Sequence, residues 1–210
     1  MTICKYLEKS IVIGIFTSFL IISHVSVSAS ADTPAAPSNP YRRDSLKVGS
    51  VAQSFVMRDL LGDNAVFLRD YTGETLRDSW KNKNRYVVVL SFWATWCQPC
   101  KVEIPLLEKI SEEMKNEPIK FFLINTMEKS ESNEDTIRQV YVSRGYKMQC
   151  LLDPSTRFAQ LYTVHGLPMI VVIDKFGIVR KVNRGYNENF HIELEKLLKE
   201  LVQETVGNKK

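Results

Sequence analysis

Tyr86-Val87-Val88-Val89-Leu90-Ser91-Phe92-Trp93-Ala94-Thr95-Trp96-Cys97-Gln98-Pro99-Cys100 is the stretch from which the rest of the chain can be read. Its first eight residues are mostly β-branched or aromatic and do not alternate with polar ones, as in a central strand buried on both faces. Beyond them, apolar residues at Val102, Leu106, Leu107, Ile110 and Met114 have helical spacing and predict a helix over Cys97–Lys115, with Pro105 inside it as a kink. Two thiols three residues apart on the first turn of that helix face one another. A thiolate there is stabilised by unpaired backbone N–H groups and by the positive end of the helix dipole, which lowers its pKa. Cys97 is therefore read as the attacking thiol and Cys100 as the resolving one.

Other uses of paired cysteines fit less well. Covalent haem attachment requires His directly after the second Cys, and Lys101 stands there. A structural zinc site takes about four N or S ligands, and beyond the pair the chain offers only the isolated Cys150, His165 and His191 once the N-terminus is set aside. No metal is expected. A bridge at this spacing closes almost no loop, so a purely structural disulfide has little to stabilise. Redox chemistry remains, carried by the two sulfurs without an organic cofactor.

Residues 1–31 read as a secretory signal: Lys5 and Lys9 lead into the uncharged apolar run Ile11–Ile22, and Ala29-Ser30-Ala31 fits a small-x-small cleavage site. The apolar run is shorter than the roughly 20 residues that span a bilayer. The uncharged stretch nevertheless continues to Ala31, so an uncleaved membrane tether through residues 11–31 is the alternative. Cleavage removes Cys4 and leaves Cys97, Cys100 and Cys150 in an oxidising compartment. Cys150 lies in Met148–Asp153, a short buried strand, and is read as an inert thiol, the alternative being a second redox partner for Cys97.

Residues 32–45, rich in Pro, Ala and Ser, form a flexible linker, and residues 46–207 a single domain. Phe55–Leu61 and Ala65–Tyr71 flank Gly62-Asp63-Asn64, which predicts an N-terminal β-hairpin. Ile119–Ile124 is a second buried strand, and a helix over Asn133–Arg144 leads to the strand around Cys150. Thr156–Tyr162 is a short helix, and the strand after Pro168 turns at Asp174-Lys175-Phe176-Gly177 into Ile178–Val182. Phe190, Leu194, Leu197, Leu198 and Leu201 mark one face of a closing helix. The order implies an α/β domain whose central mixed β-sheet is flanked by helices on both faces. Formal net charge is +4, and +3 once Lys5, Glu8 and Lys9 are gone; both signs are mixed along the chain, which excludes a nucleic-acid binder.

From about Gly49 to Leu201 the chain resembles the thioredoxin superfamily, and within it the exported thiol-disulfide oxidoreductases of the TlpA and ResA type. The resemblance rests on Ser91–Cys100, on Glu103-Ile104-Pro105, on Leu152-Asp153-Pro154, and on Gly166-Leu167-Pro168 leading into Val172-Ile173-Asp174. It implies a thioredoxin-like fold with an N-terminal β-hairpin and a central insertion. It also implies a cis-proline at Pro168 beside the redox pair, main-chain hydrogen bonds from Leu167 to an incoming polypeptide, and apolar walls from Trp96 and Met169. Ser91 stands where thioredoxin has a buried Asp. Glu103 matches an acidic residue that ResA-like proteins hold near their cysteines; one turn beyond Cys100, it is placed to take the resolving thiol's proton if burial raises its pKa. The alternative for Glu103 is a solvated helix charge, and His165 and Lys101 are read as solvated residues at the rim.

By the same resemblance the protein acts in the periplasm or another extracytoplasmic space as a reductant of protein disulfides. Apocytochromes c are then clients, and a membrane thiol reductase of the DsbD or CcdA kind is the electron donor. Two other classes remain open. One is a thiol peroxidase, against which stands the lack of the Pro-x-x-x-Thr/Ser-x-x-Cys pattern before Cys97. The other is a non-catalytic polypeptide-binding module that uses the cis-proline loop.

Overall fold

A computed structural model describes residues 46–62, 64–80 and 83–205. The signal over 1–31, the linker over 32–45, Asp63 of the hairpin turn and the domain's last residues, 206–207, lie outside the described residues. Within the described residues no helix is long and apolar enough to cross a membrane.

Among the described residues seven strands form one mixed sheet: β1 (Val56–Asp59), β2 (Ala65–Phe67), β3 (Val87–Trp93), β4 (Ile119–Thr126), β5 (Gln149–Asp153), β6 (Met169–Ile173) and β7 (Val179–Arg184), in the order β2-β1-β5-β4-β3-β6-β7. β3, β4 and β5 run parallel, and β6, β7, β1 and β2 complete the sheet in antiparallel pairs. All seven residues of β3 are buried, as its unbroken apolar run requires of a strand covered on both faces. The N-terminal hairpin forms as β1 and β2. The segment between β4 and β6 carries one strand, β5, and two helices.

Among the described residues four α-helices cover the sheet: α1 (Gln98–Glu113), α2 (Glu134–Ser143), α3 (Arg157–Leu161) and α4 (Phe190–Gln203). On one face α1, α2 and α4 bury Ile104, Leu107, Ile137, Leu194 and Leu198 against Val87, Val89 and Trp93 of β3. On the other, Phe158 and Ala159 of α3 join Phe55, Leu68 and Tyr162 around Val88, Leu90 and Phe92. Alternate β3 side chains thus feed two separate cores, the period-2 consequence of a central strand. Asp153, at the end of β5, anchors the second layer, its carboxylate accepting from Phe158 N (3.1 Å), Ala159 N (2.9 Å) and Thr126 Oγ1 (2.9 Å).

The buried face of α1 differs from the predicted stripe. Cys100, Glu103, Ile104, Leu107 and Ile110 point inward, whereas Val102 is 53% exposed. Helical period selects this set once an acidic residue is admitted among the inward positions. α1 runs unbroken through Pro105, which is exposed.

The turn between β6 and β7 needs its glycine: Gly177 has φ +84°, and a Cβ there would come within 2.9 Å of Gly73 Cα. Asp174 Oδ1 accepts from the backbone N–H of Phe176 and Ile178 at 2.9 Å each, closing the turn.

Candidate active site

The site lies where β3 hands over to α1. Cys97 N donates to Ala94 O (3.1 Å) in the turn after β3, and Cys97 itself is the N-cap residue of α1, with extended backbone (φ −76°, ψ 101°). Gln98 and Pro99 are the first two helical residues, where a proline's missing N–H would have had no helical partner. Cys97 Sγ accepts from Cys100 N at 3.2 Å, so the sulfur occupies the place of a capping oxygen.

The two sulfurs are bonded, with 5.4 Å between the Cα atoms. In this oxidised state Cys97 is 1% exposed and Cys100 fully buried, while Trp96, Gln98 and Pro99 are exposed around them. The attacking thiol read from the sequence, Cys97, is thus almost as buried as Cys100 in the disulfide form, with Trp96 exposed beside it.

Trp96 is 40% exposed, and its indole Nε1 donates to Met127 O at 2.8 Å, which fixes the ring at the site's border. Glu103 is 5% exposed, and its Oε2 has no hydrogen-bond partner. Burial pushes its carboxyl up from 4.5 to about 7. A solvated helix charge is thereby replaced by a buried acid, near neutral, one turn from Cys100. Ser91 Oγ, on the α1 side of β3 between Val89 and Trp93, is also buried without a partner.

The second loop at this end precedes β6. Register pairs Phe92 with Met169, so the chain before Met169 leaves the sheet beside the turn that follows Trp93. The Leu167–Pro168 peptide bond is cis. Pro168 is buried and its carbonyl accepts from Gly185 N at 2.9 Å, and Leu167 is half-buried against both cores. Met169 corrects an expectation: its side chain is fully buried in the core opposite the cysteines, with Phe92 and Tyr162, and forms no wall facing a substrate. His165 is exposed.

Cys150, on β5, is free and buried, its thiol pushed up to about 12 by desolvation. It belongs to the structural core, as its strand implied. Among the described residues no group of three or more His, Cys, Asp or Glu is placed to hold a metal ion.

One residue that holds the turn before Cys97 was not read from the sequence. Glu128, just past β4, accepts at Oε1 from Thr95 N and Asn125 Nδ2 and at Oε2 from Thr95 Oγ1, each at 2.7 Å. The contact requires the turn at Met127, which has φ +56°, a backbone conformation that methionine does not signal.

A vicinal cysteine pair capping a helix after a central strand, with a cis-proline loop at the same end of the sheet, defines a thioredoxin-like thiol-disulfide oxidoreductase. The family model "Redoxin" matches residues 47–201, and the chain belongs to that family. Within it the chain is of the TlpA and ResA type. It is 27% identical to thiol-disulfide oxidoreductase ResA of Halalkalibacterium halodurans over 68% of this chain and 72% of that protein. Against ResA of Geobacillus kaustophilus it is 29% identical with the same coverage. The fold matches that of StoA from Bacillus subtilis, with a TM-score of 0.55 at 19% identity over 70% of this chain and 96% of that one. It also matches the thioredoxin domain of a thiol-disulfide oxidoreductase from Bacteroides vulgatus, with a TM-score of 0.59 at 22% identity over 73% and 99%.

Proposed function

We propose that the protein is an extracytoplasmic reductant of protein disulfides. The observation that carries this is the capping sulfur: Cys97 Sγ lies 3.2 Å from Cys100 N at the start of α1, where a thiolate is stabilised, and within bonding distance of Cys100. In the reaction, Cys97 thiolate attacks one sulfur of the client disulfide; the S–Cys97 bond forms as the client S–S bond breaks, and the other client sulfur leaves as a thiolate. Glu103 accepts the proton of Cys100, whose thiolate then attacks Cys97 Sγ and expels the second client sulfur. Two electrons pass from the enzyme dithiol to the client, leaving the Cys97–Cys100 disulfide.

Leu167 offers its main chain to an extended client segment beside cis-Pro168, and the exposed Trp96 supplies an apolar border. The oxidised enzyme is returned to the dithiol by a membrane thiol reductase of the DsbD or CcdA kind. Apocytochromes c are the clients, since their haem-binding cysteines must be reduced before ligation. Location outside the cytoplasm is supported by the signal-like residues 1–31, whether cleaved or kept as a tether. Direction is supported by Pro99 before Cys100, which resembles reducing members of the superfamily.

The test is a Cys100→Ala variant, which lacks the resolving sulfur and should accumulate a mixed disulfide through Cys97 to its client. Titration of the wild-type pair should give a potential in the lower half of the roughly −270 to −120 mV span of such centres. A value at the oxidising end, with no mixed disulfide captured, would overturn the reading.

A further inference from the structure

We infer that Glu128 is the positioning residue of the redox centre: by holding Thr95, and with it Trp96, its carboxylate keeps Cys97 seated at the head of α1 where the N–H of Cys100 reaches its sulfur. Two adjacent residues of the turn after β4 grip two adjacent residues of the turn before α1. Met127 O accepts from Trp96 Nε1 at 2.8 Å, and Glu128 accepts from both the N–H and the hydroxyl of Thr95 at 2.7 Å. Asn125 Nδ2 donates to Oε1 at 2.7 Å, so the carboxylate is fixed to the end of β4 as well as to the loop it holds. Thr95 and Trp96 directly precede Cys97, which leaves no slack between the clamp and the capping sulfur. β4 pairs with β3 up to Trp93↔Asn125, so both turns grow from the same rung of a rigid ladder.

The chemistry of the clamp is that of a charge-assisted acceptor set, which makes each contact stronger than one between neutral groups. A loosened turn lets Cys97 drift from the N-cap position, and the stabilisation of its thiolate by Cys100 N–H and the helix terminus weakens. Geometry and charge act in opposite directions here. Loss of the clamp makes Cys97 less acidic, whereas loss of a nearby negative charge alone would make it more acidic. Other ionisable groups near this end of the elements around Cys97 include Cys100, Lys101 and Glu103 on α1, Cys150 on β5, and His165 before Pro168; Glu108, Lys109, Glu112 and Glu113 lie further along α1, and Asp153 ends β5.

The inference rests on Cys97 being the attacking thiol, and the experiment separates the two ideas. In the reduced full-length protein, alkylation of Cys97 is followed by peptide mass spectrometry across a pH series for wild type, Glu128→Ala, Glu128→Gln and Thr95→Val. A glutamine side chain can keep all three contacts, its oxygen accepting from Thr95 N and Asn125 and its amide donating to Thr95 Oγ1. The expected result is a wild-type midpoint below that of a free thiol, raised by about one pH unit in Glu128→Ala, a ~tenfold loss of thiolate below both midpoints. Glu128→Gln should stay within about twofold of wild type, and Thr95→Val should move the same way as Glu128→Ala but less. A low wild-type midpoint that is unchanged or lowered in Glu128→Ala overturns the positioning role. So does a Glu128→Gln midpoint equal to that of Glu128→Ala. If Glu128→Ala does not fold, an unchanged Thr95→Val midpoint overturns it instead. An ordinary midpoint in wild type would sink the assignment of Cys97 itself and not the clamp alone.

Discussion

Replacing Glu103 with Gln should make the oxidised protein's stability less sensitive to pH, and the size of the effect follows from burial. The carboxyl is 5% exposed with one oxygen lacking a hydrogen-bond partner, and its pKa rises from 4.5 to about 7. Below the lower value, folded and unfolded chains both hold the proton, and Glu103 adds no pH dependence. Between the two values the unfolded chain loses its proton while the folded one keeps it, so stability falls as pH rises. The fall is complete above the folded value of about 7. A rise from 4.5 to about 7, at ~1.36 kcal/mol per unit, corresponds to about 3 kcal/mol. Gln keeps the side chain's length and has no proton to lose, so any penalty for burying its amide is the same at every pH. Urea unfolding of the disulfide form from about pH 4 to about pH 8.5 should show the variant gaining about 3 kcal/mol on the wild type over that range. Parallel stability curves would mean that Glu103 ionises in the fold without penalty, and the argument for a buried near-neutral acid beside Cys100 would fail.

Asp153→Ala should destabilise the fold by about 3 kcal/mol in the same assay, because it strips Phe158 N, Ala159 N and Thr126 Oγ1 of their shared acceptor inside the protein. Cys150, its thiol raised to about 12, should resist alkylation in the native protein near neutral pH and react once denaturant is added; ready native modification would contradict its burial.

Much of the architecture was legible because single residues had only one good use. The run Tyr86–Trp93 lacks alternation and became the fully buried β3, and Gly62 and Asn64 marked the hairpin between β1 and β2. The face of α1 was harder, since an inward Glu103 beside an outward Val102 inverts what hydropathy alone suggests. Glu103 entered the site through its resemblance to a family position and its spacing from Cys100; its burial was visible only once α1 was docked on β3. Met169 was misassigned because its neighbour Pro168 lies at the site while the β pleat turns the next side chain to the opposite core. Glu128 left almost no trace. Its only signal was the spacing to Asn125 at a strand end, and the turn that brings it to Thr95 depends on a left-handed methionine.

The placement of the hairpin has a consequence for how the chain tolerates trimming. β1 pairs with β5, so residues near the start of the domain close the open side of an apolar segment that comes about ninety residues later. A chain cut back past β2 would leave Cys150, Leu151 and Leu152 on a rim of unpaired backbone donors and acceptors, the kind of border along which separate molecules stack. Preservation of the redox motif alone would then not suffice: such a fragment is expected to self-associate, and the hairpin serves the chemistry from a distance by keeping each molecule to itself.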